Sequence, residues 1–395
     1  MVTAVQSRIG EITDWFGGSL EGVRWFFAPG RVNLIGEHLD YNGGRVLPAA
    51  LELGVWLLAR PRADAAFRFA SSAFPEEIEV KDGDLGYRPE HGFANYPKGV
   101  LWVLREQGWQ IPGMDFLFFS NLPSGAGLSS SAAVEVVTGF ALAAILRRPL
   151  TPQGLARMAQ RAENDYVGVQ CGIMDQFAVT AGRENAAVLL DCERLTFEYV
   201  PLDLGAYRLI IINSNKERKL AESRYNLRRE ECQEALAILR QRDKSVLSLA
   251  TLSPDLWEAY RPLIDRAVLR RRVDHVVSEN ARVKEAVRLL RMGDLPGFAL
   301  LLNLSHESLR DFYEVTGPEL DALVEAAQQA PGCLGARMTG AGFGGCALAL
   351  VKADQASAFE EAVQERYRTA VGREASFYVS AAGNGVREVT EEVQS

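Results

Sequence analysis

No apolar run in the 395 residues reaches the roughly 18 needed to cross a bilayer, so no transmembrane helix is expected. The opening stretch, Met1 to Trp15, lacks the basic-then-apolar layout of a signal peptide. Cysteine is scarce: five residues, odd in number and without a C-x-x-C pair, which predicts reduced thiols in the cytoplasm rather than a disulfide framework. The four histidines show no i, i+4 pairing, so no transition-metal site is expected. Positive charge is in deficit, giving a net charge of −8. That balance argues against nucleic acid or an anionic membrane as a general partner. Repeats, low-complexity tracts and an obvious linker are also missing. So are two familiar nucleotide loops. No Lys follows a glycine loop in the Walker pattern, and the formal G-x-G-x-x-G at Gly340, Gly342 and Gly345 runs into strand-like Cys346–Val351 instead of a helix.

What is present centres on Leu122-Pro-Ser-Gly-Ala-Gly-Leu-Ser-Ser-Ser-Ala-Ala133. The apolar run Met114–Phe119 reads as a strand entering it, and Ala132–Leu146 is long enough to be a helix leaving it. Gly125 and Gly127 allow close backbone approach, and Ser129, Ser130 and Ser131 place hydroxyls at the helix start. Backbone N–H groups, hydroxyls and the positive end of a helix dipole suit a polyphosphate. A Gly/Ser turn capping an ordinary helix is the plainer alternative.

Upstream, Arg24–Ala28 is a strand candidate running into a segment from Pro29 to Gly44 that reads as a loop held against a core. It carries Arg31, Glu37, His38 and Asp40, which could line a polyol site; a solvated turn is the alternative. Strands are expected at 46–58, 66–70 and 77–80, and a helix over 96–106. Thr151-Pro152 has the N-cap and N1 pattern of a helix reaching about Tyr166 and carrying Glu163. Asp175 lies in apolar company, either as a positioned base or as a helix cap. Further strands are expected at 186–191, 207–212, 346–351 and 375–380, with helices over 216–242, 266–292, 298–311, 317–330 and 355–369. Arg270, Arg271 and Arg272 read as a solvated helix face, and 335–345 as a glycine-rich loop. The chain is long enough for two domains, 1–200 and 201–395, with the break between Asp191 and Tyr207.

Three segments in this order carry a resemblance: Gly30-Arg-Val-Asn-Leu-Ile-Gly-Glu-His-Leu-Asp-Tyr41, Pro123-Ser-Gly-Ala-Gly-Leu-Ser-Ser-Ser-Ala132 and Arg337-Met-Thr-Gly-Ala-Gly-Phe-Gly-Gly-Cys346. Together with Asn95-Tyr96, Cys171-Gly-Ile-Met-Asp-Gln176, Asn213-Ser-Asn215 and His306-Glu-Ser-Leu-Arg-Asp311, they resemble the galactokinase branch of the GHMP small-molecule kinases over nearly the whole chain. The second and third segments mark the superfamily, and the first marks the branch.

The resemblance implies an α+β, two-domain GHMP kinase fold with ATP and a sugar in the interdomain cleft; a monomer is expected. It implies catalytic roles for Asp175 as base and for Arg31, which would keep that base ionised and stabilise the transferring phosphoryl group. Glu37, His38, Leu39, Asp40, Gly172, Asp175 and Tyr225 fall at sugar-binding positions. Gly125, Ala126, Gly127, Leu128, Ser129, Ser130 and Ser131 would form the phosphate loop, with Ser72 and Phe93 near adenine. Ser131, or its neighbour Ser130, and Glu163 would hold Mg²⁺, an ion that keeps most of its waters. Leu39 stands where the branch usually has Thr, and Ala341 where a glycine is common. The implied activity is ATP-dependent phosphorylation of D-galactose at the anomeric hydroxyl. A kinase for N-acetylgalactosamine or L-arabinose is an alternative within the class. A non-catalytic sugar and ATP sensor is the alternative from another class, and the intact base and loop speak against it.

Overall fold

The computed structural model describes residues 8–123, 126–216 and 221–394. In chain order its strands are β1 (Arg24–Asn33), β2 (Arg45–Val46), β3 (Pro48–Pro61), β4 (Ala66–Ser71), β5 (Phe74–Lys81), β6 (Met114–Ser120) and β7 (Ala186–Asp191). They continue as β8 (Thr196–Pro201), β9 (Tyr207–Asn213), β10 (Cys333–Thr339), β11 (Cys346–Lys352), β12 (Ser376–Ser380) and β13 (Arg387–Glu388). Three sheets result: β13-β1-β3-β6-β4-β5, β2-β7-β8 and β10-β11-β9-β12. No described helix is long and apolar enough to cross a membrane.

The strand that the sequence predicts over 24–28 continues through Asn33, where a loop is expected. Pro29 cannot donate to a ladder, and the register against β3 slips between Pro29 and Arg31 before pairing resumes at Arg31↔Ala50. This bulge puts Arg31 on a fixed strand instead of a loop. Beside it, a Cβ on Gly30 would lie 2.5 Å from Leu122 and 2.8 Å from the Leu128 carbonyl. Only glycine lets β1 lie this close to the serine-rich segment.

That segment leads into the helix Ser130–Ile145, which packs on β1 and β3. Ala132, Ala133, Val136, Val137, Ala141 and Leu142 are all fully buried. A helix apolar on most sides belongs inside a domain, and each buried Val or Leu there contributes about 1.5–3 kcal/mol. The helix beginning at Thr151-Pro152 is capped as the sequence predicts, with Thr151 Oγ1 accepting from Gly154 N at 3.1 Å. It is α-helical over Pro152–Arg161 and then widens into a π-turn over Ala162–Val167 that holds Glu163.

In the third sheet, Leu209–Ile212 of β9 is buried throughout, between β11 and β12. Gly335–Thr339, expected in a loop, belong to β10. Their alternation pairs with β11 at Ala336↔Ala349 and Met338↔Ala347. The helix Leu295–Ser308 sits so near that a Cβ on Gly335 would meet the Ala299 carbonyl at 2.4 Å. The true turn is 340–345, where Gly340, Gly342, Phe343, Gly344 and Gly345 all have positive φ. Arg272 is not on a solvated face. It is 1% exposed and donates to Glu231 at 2.6 Å while pairing with Glu314 at 2.7 Å, joining the helices Ala221–Arg242 and Ala267–Met292 to the turn after Ser308.

Strands within 24–201 lie in the first two sheets and those within 207–380 in the third, but β13 returns to the outer edge of β1. We propose a domain division near 202–206, with the final strand counted in the first domain.

Candidate active site

A cavity of about 370 Å³ opens where β1, the serine-rich segment, the helix Met174–Ala181 and the 340–345 turn converge. Arg31 reaches it from β1 with its side chain almost wholly buried. The guanidinium donates through Nε to Asp175 Oδ1 at 2.8 Å and through Nη2 to Oδ2 at 2.6 Å. Its third arm, Nη1, donates to the Gly127 carbonyl at 2.7 Å. A bidentate pair of this kind fixes orientation as well as charge. Asp175 is in the first turn of its helix, yet that helix has no side-chain cap bond. The capping alternative is not what the structure shows.

Ser129 supplies a role that its sequence position did not reveal. It adopts φ 63°, ψ 47°, makes no cap for the helix behind it, and donates its hydroxyl to Asp175 Oδ2 at 2.5 Å. Oδ2 therefore accepts two hydrogen bonds and Oδ1 one. A carboxylate has about four acceptor positions, so one remains on Oδ1. The diverted hydroxyl also leaves the first-turn N–H groups of Ser130–Ile145 without a side-chain acceptor.

On the opposite wall lie His38, Asp40, Gly172 and Tyr225. His38 has φ 62°, and its Nδ1 lies 2.8 Å from the Tyr41 hydroxyl. Its Nε2 is buried without a hydrogen-bond partner among the described residues. Burial, then the charges of His275 and Arg228, hold its pKa well below the ordinary value, so the ring is neutral. Asp40 is pushed up to about 6 by burial and by the negative charge of Asp175, against backbone N–H groups that favour its ionised form.

Glu37 also borders the cavity, but its carboxylate is already engaged. Asn33 Nδ2 donates to Oε2 at 2.7 Å and Gly340 N to Oε1 at 2.9 Å, while buried Arg337 pairs with Oε2. Arg337 also donates to the Leu34 carbonyl at 2.8 Å. Glu37 thus clasps the third sheet to β1's extension, which local sequence could not show for partners 300 residues apart. Leu39 is corrected outright. It is fully buried in the core and does not line the cavity, since the chain turns inward there and Gly44 packs on it.

At the other end, Ser130 and Ser131 begin the helix, and Glu163 projects from the π-turn. Burial, helped by the charge of Asp175, pushes Glu163 up to about 7, against the Ser131 hydroxyl and Cys171, which favour its ionised form. Gln176 Nε2 donates to Glu163 Oε2 at 2.7 Å. Glu135, one turn beyond Ser131, is fully buried, and neither of its oxygens has a hydrogen-bond partner among the described residues. Burial first, and Glu163 next, raise it well above the ordinary carboxylate range. The i, i+4 spacing from Ser131 was the available sequence signal for it.

Ala126 and Leu128 put their side chains in the core, and the carbonyls of Gly127 and Leu128 serve Arg31. Gly125 lies outside the described residues. Ser72 and Phe93 do not reach the cavity. They meet around Phe118 of β6, where Ser72 N donates to the Phe118 carbonyl at 2.9 Å and the Phe93 and Phe118 rings lie edge-on at 6.2 Å. Phe74, which the sequence did not single out, stacks on Phe93 with centroids 5.3 Å apart.

Residues 11–61 match the galactokinase galactose-binding signature, 95–183 the GHMP kinases N terminal domain, and 284–369 the GHMP kinases C terminal model. The chain is 50% identical over 371 residues to the galactokinase of Exiguobacterium sibiricum, covering 93% of this chain and 94% of that one. It is 47% identical to that of Enterococcus faecalis, covering 93% and 96%. The chain belongs to the galactokinases, within the GHMP kinase family. A crystal structure of Lactococcus lactis galactokinase complexed with galactose superposes with a TM-score of 0.94 at 43% identity, covering 97% of this chain and all of that one. A mevalonate kinase with a TM-score of 0.63 at 17% identity shares the fold. As a galactokinase the chain is a phosphotransferase that uses ATP and a small sugar, and galactose phosphorylation is the activity these relationships support.

Proposed function

We propose that the cavity holds galactose with its anomeric hydroxyl at Asp175 and the γ-phosphate of ATP at the N-terminus of the helix Ser130–Ile145. The observation that carries this reading is the remaining acceptor position on Asp175 Oδ1, next to a carboxylate otherwise fixed by Arg31 and Ser129. A sugar hydroxyl is a poor nucleophile while protonated, and Oδ1 takes its proton as the O–P bond forms, a gain of about 10²–10⁴-fold. Arg31 stabilises the carboxylate's orientation and the charge spread over the transferring group. In phosphoryl transfer, alignment and charge neutralisation supply most of the acceleration, so the free N–H groups at the helix start matter as much as the base. Asp40 and His38 face the ring hydroxyls from the other wall, Asp40 as an acceptor when ionised.

Ser131 and Glu163 fit Mg²⁺. A hydroxyl and one carboxylate suit an ion that keeps several waters and also takes phosphate oxygens. When bound, the ion neutralises charge on the polyphosphate. The contact between Ser131 and Glu163 favours Ser131 over exposed Ser130 as the hydroxyl donor. Ser72, Phe74 and Phe93 would lie toward the base. Five free cysteines support a reducing, cytoplasmic setting, and a monomer completes the reading.

A coupled ADP-release assay with galactose, glucose, N-acetylgalactosamine and L-arabinose tests the reading. Turnover with galactose well above the other three is expected, and preference for any other sugar overturns the substrate assignment.

A further inference from the structure

Behind His38 runs a chain of hydroxyls that crosses from one domain to the other. Tyr41, three residues on, lies with its hydroxyl 2.8 Å from His38 Nδ1 and 2.9 Å from the hydroxyl of Tyr313, in the π-turn Leu309–Tyr313 of the second domain. Tyr313 is fully buried, and its oxygen is also within 3.1 Å of Cys232 Sγ and 3.4 Å of Asn42 Nδ2.

The direction of this chain can be worked out from its far end. Asn42 Nδ2 lies 2.8 Å from the backbone carbonyl of His38, which can only accept, so the amide nitrogen is correctly placed. The same nitrogen therefore donates to Tyr313. Between Tyr313 and Cys232 the geometry allows either donor; a thiol sulfur is the poorer acceptor of the two, so we assign the thiol as the donor there. With both lone pairs of Tyr313 filled, its proton goes to the Tyr41 oxygen. The Tyr41 proton then goes to His38 Nδ1. A neutral imidazole that accepts at Nδ1 carries its proton on Nε2. Nε2 is buried without a hydrogen-bond partner among the described residues, in a ring that borders the cavity.

We infer that Tyr41, held by Tyr313 across the domain interface, is a positioning residue that locks His38 as an Nε2–H donor, so that the sugar oxygen it meets acts as an acceptor. The inference rests on reading the cavity as the sugar site. The functional consequence is selective: a ring hydroxyl contacted by His38 must point its own proton elsewhere, toward a carboxylate such as Asp40. Domain closure and sugar recognition are tied together, because half of the chain of hydroxyls belongs to each domain.

Histidine-selective ¹⁵N labelling with long-range ¹H–¹⁵N correlation reads the tautomer directly in the sugar-free protein at pH 8. The other histidines serve as internal standards. His275 Nε2 faces the Glu37 carbonyl at 3.2 Å and must be its donor, and His306 Nδ1 accepts from Met338 N at 3.3 Å. His38 is expected to show a pyridine-type Nδ1 and a pyrrole-type Nε2. In Tyr41→Phe its two nitrogens should move toward intermediate shifts while those of His275 and His306 stay fixed. The same variant should raise KM for galactose about tenfold, with KM for ATP unchanged. A proton on Nδ1 of His38 in the unsubstituted protein overturns the inference without any variant being made. Unaltered His38 shifts in a folded Tyr41→Phe protein overturn it as well. If the tautomer behaves as expected but galactose is neither bound nor phosphorylated, the sugar reading fails and the lock stands.

Discussion

Asp40 lies so close to Gly172 that a Cβ on the glycine would be 1.9 Å from Oδ2. The glycine is required by that carboxylate and not by its own backbone angles. Gly172→Ala must therefore push Asp40 off its present position at the cavity wall, from which we propose it contacts the sugar. An ångström-scale displacement of a contacting group costs roughly 10²-fold. We expect kcat/KM for galactose to fall by about that factor, with nucleotide affinity unchanged. Steady-state kinetics on both substrates checks it, and unaltered galactose kinetics would remove Asp40 from the sugar contacts.

Asp40 also sets a pH dependence of stability. Its folded pKa of about 6 lies above the unfolded value near 3.8. The folded state therefore holds a proton that the unfolded chain gives up first, and stability declines as pH rises from about 4 to 6. The penalty is fully present above pH 6. Asp40→Asn removes it, so the sugar-free variant should be more stable than the parent at pH 8 by about 2–3 kcal/mol. The gain should shrink toward pH 4. Urea denaturation at the two pH values would show this, and an equal effect at both would sink it.

For Asp175→Asn we expect kcat to fall by about 10²–10⁴-fold, while ATP still binds. Asn keeps the shape but cannot take the proton at Oδ1. Single-turnover kinetics with saturating substrates is the measurement; activity within a few-fold of the parent refutes Asp175 as base.

Glu163→Gln preserves a partner for Gln176 and Ser131 but removes the one carboxylate proposed to hold Mg²⁺. The Mg²⁺ concentration for half-maximal rate should rise by roughly tenfold or more. An unshifted titration takes Glu163 out of the metal's ligands.

Arg337→Met tests the clasp on Glu37. Both side chains are at most 1% exposed, and removing one partner of a buried pair strands the other. A loss of about 3–5 kcal/mol is expected in equilibrium unfolding. A variant as stable as the parent would mean that Asn33, Thr339 and Gly340 hold Glu37 without it.

Much of the site was legible because its chemistry is local in sequence. Arg31, His38, Asp40, Ser131, Glu163, Gly172, Asp175 and Tyr225 all line one cavity, as the resemblance implied. What sequence could not give was the direction of a side chain. Ser129 reads as one of three equivalent serines, and only its left-handed backbone turns its hydroxyl from the helix to Asp175. Leu39, flanked by residues that line the cavity, points into the core. Glu37 borders the cavity, but its pairing with Arg337 from the far half of the chain could not be read locally. In the fold, the segment from Pro29 reads as a loop, and the bulge that carries β1 on to Asn33 became visible only with β3 alongside. Strand β8, whose residues are largely exposed, has too little apolar alternation to be read at all.

The placement of β13 imposes an order on assembly. Among the described residues, every other strand of the first sheet lies before residue 121, and the outer edge of β1 pairs only with Arg387 and Glu388. During synthesis from the N-terminus, that edge waits open while the whole second half is made, and an open edge is a template for foreign strands. Once closed, the arrangement reverses its character. A nick in the exposed turn at Asp203–Gly205 would leave the halves joined, because the later piece carries a strand of the earlier piece's sheet, fastened by Arg24 on Glu388 at 2.6 Å.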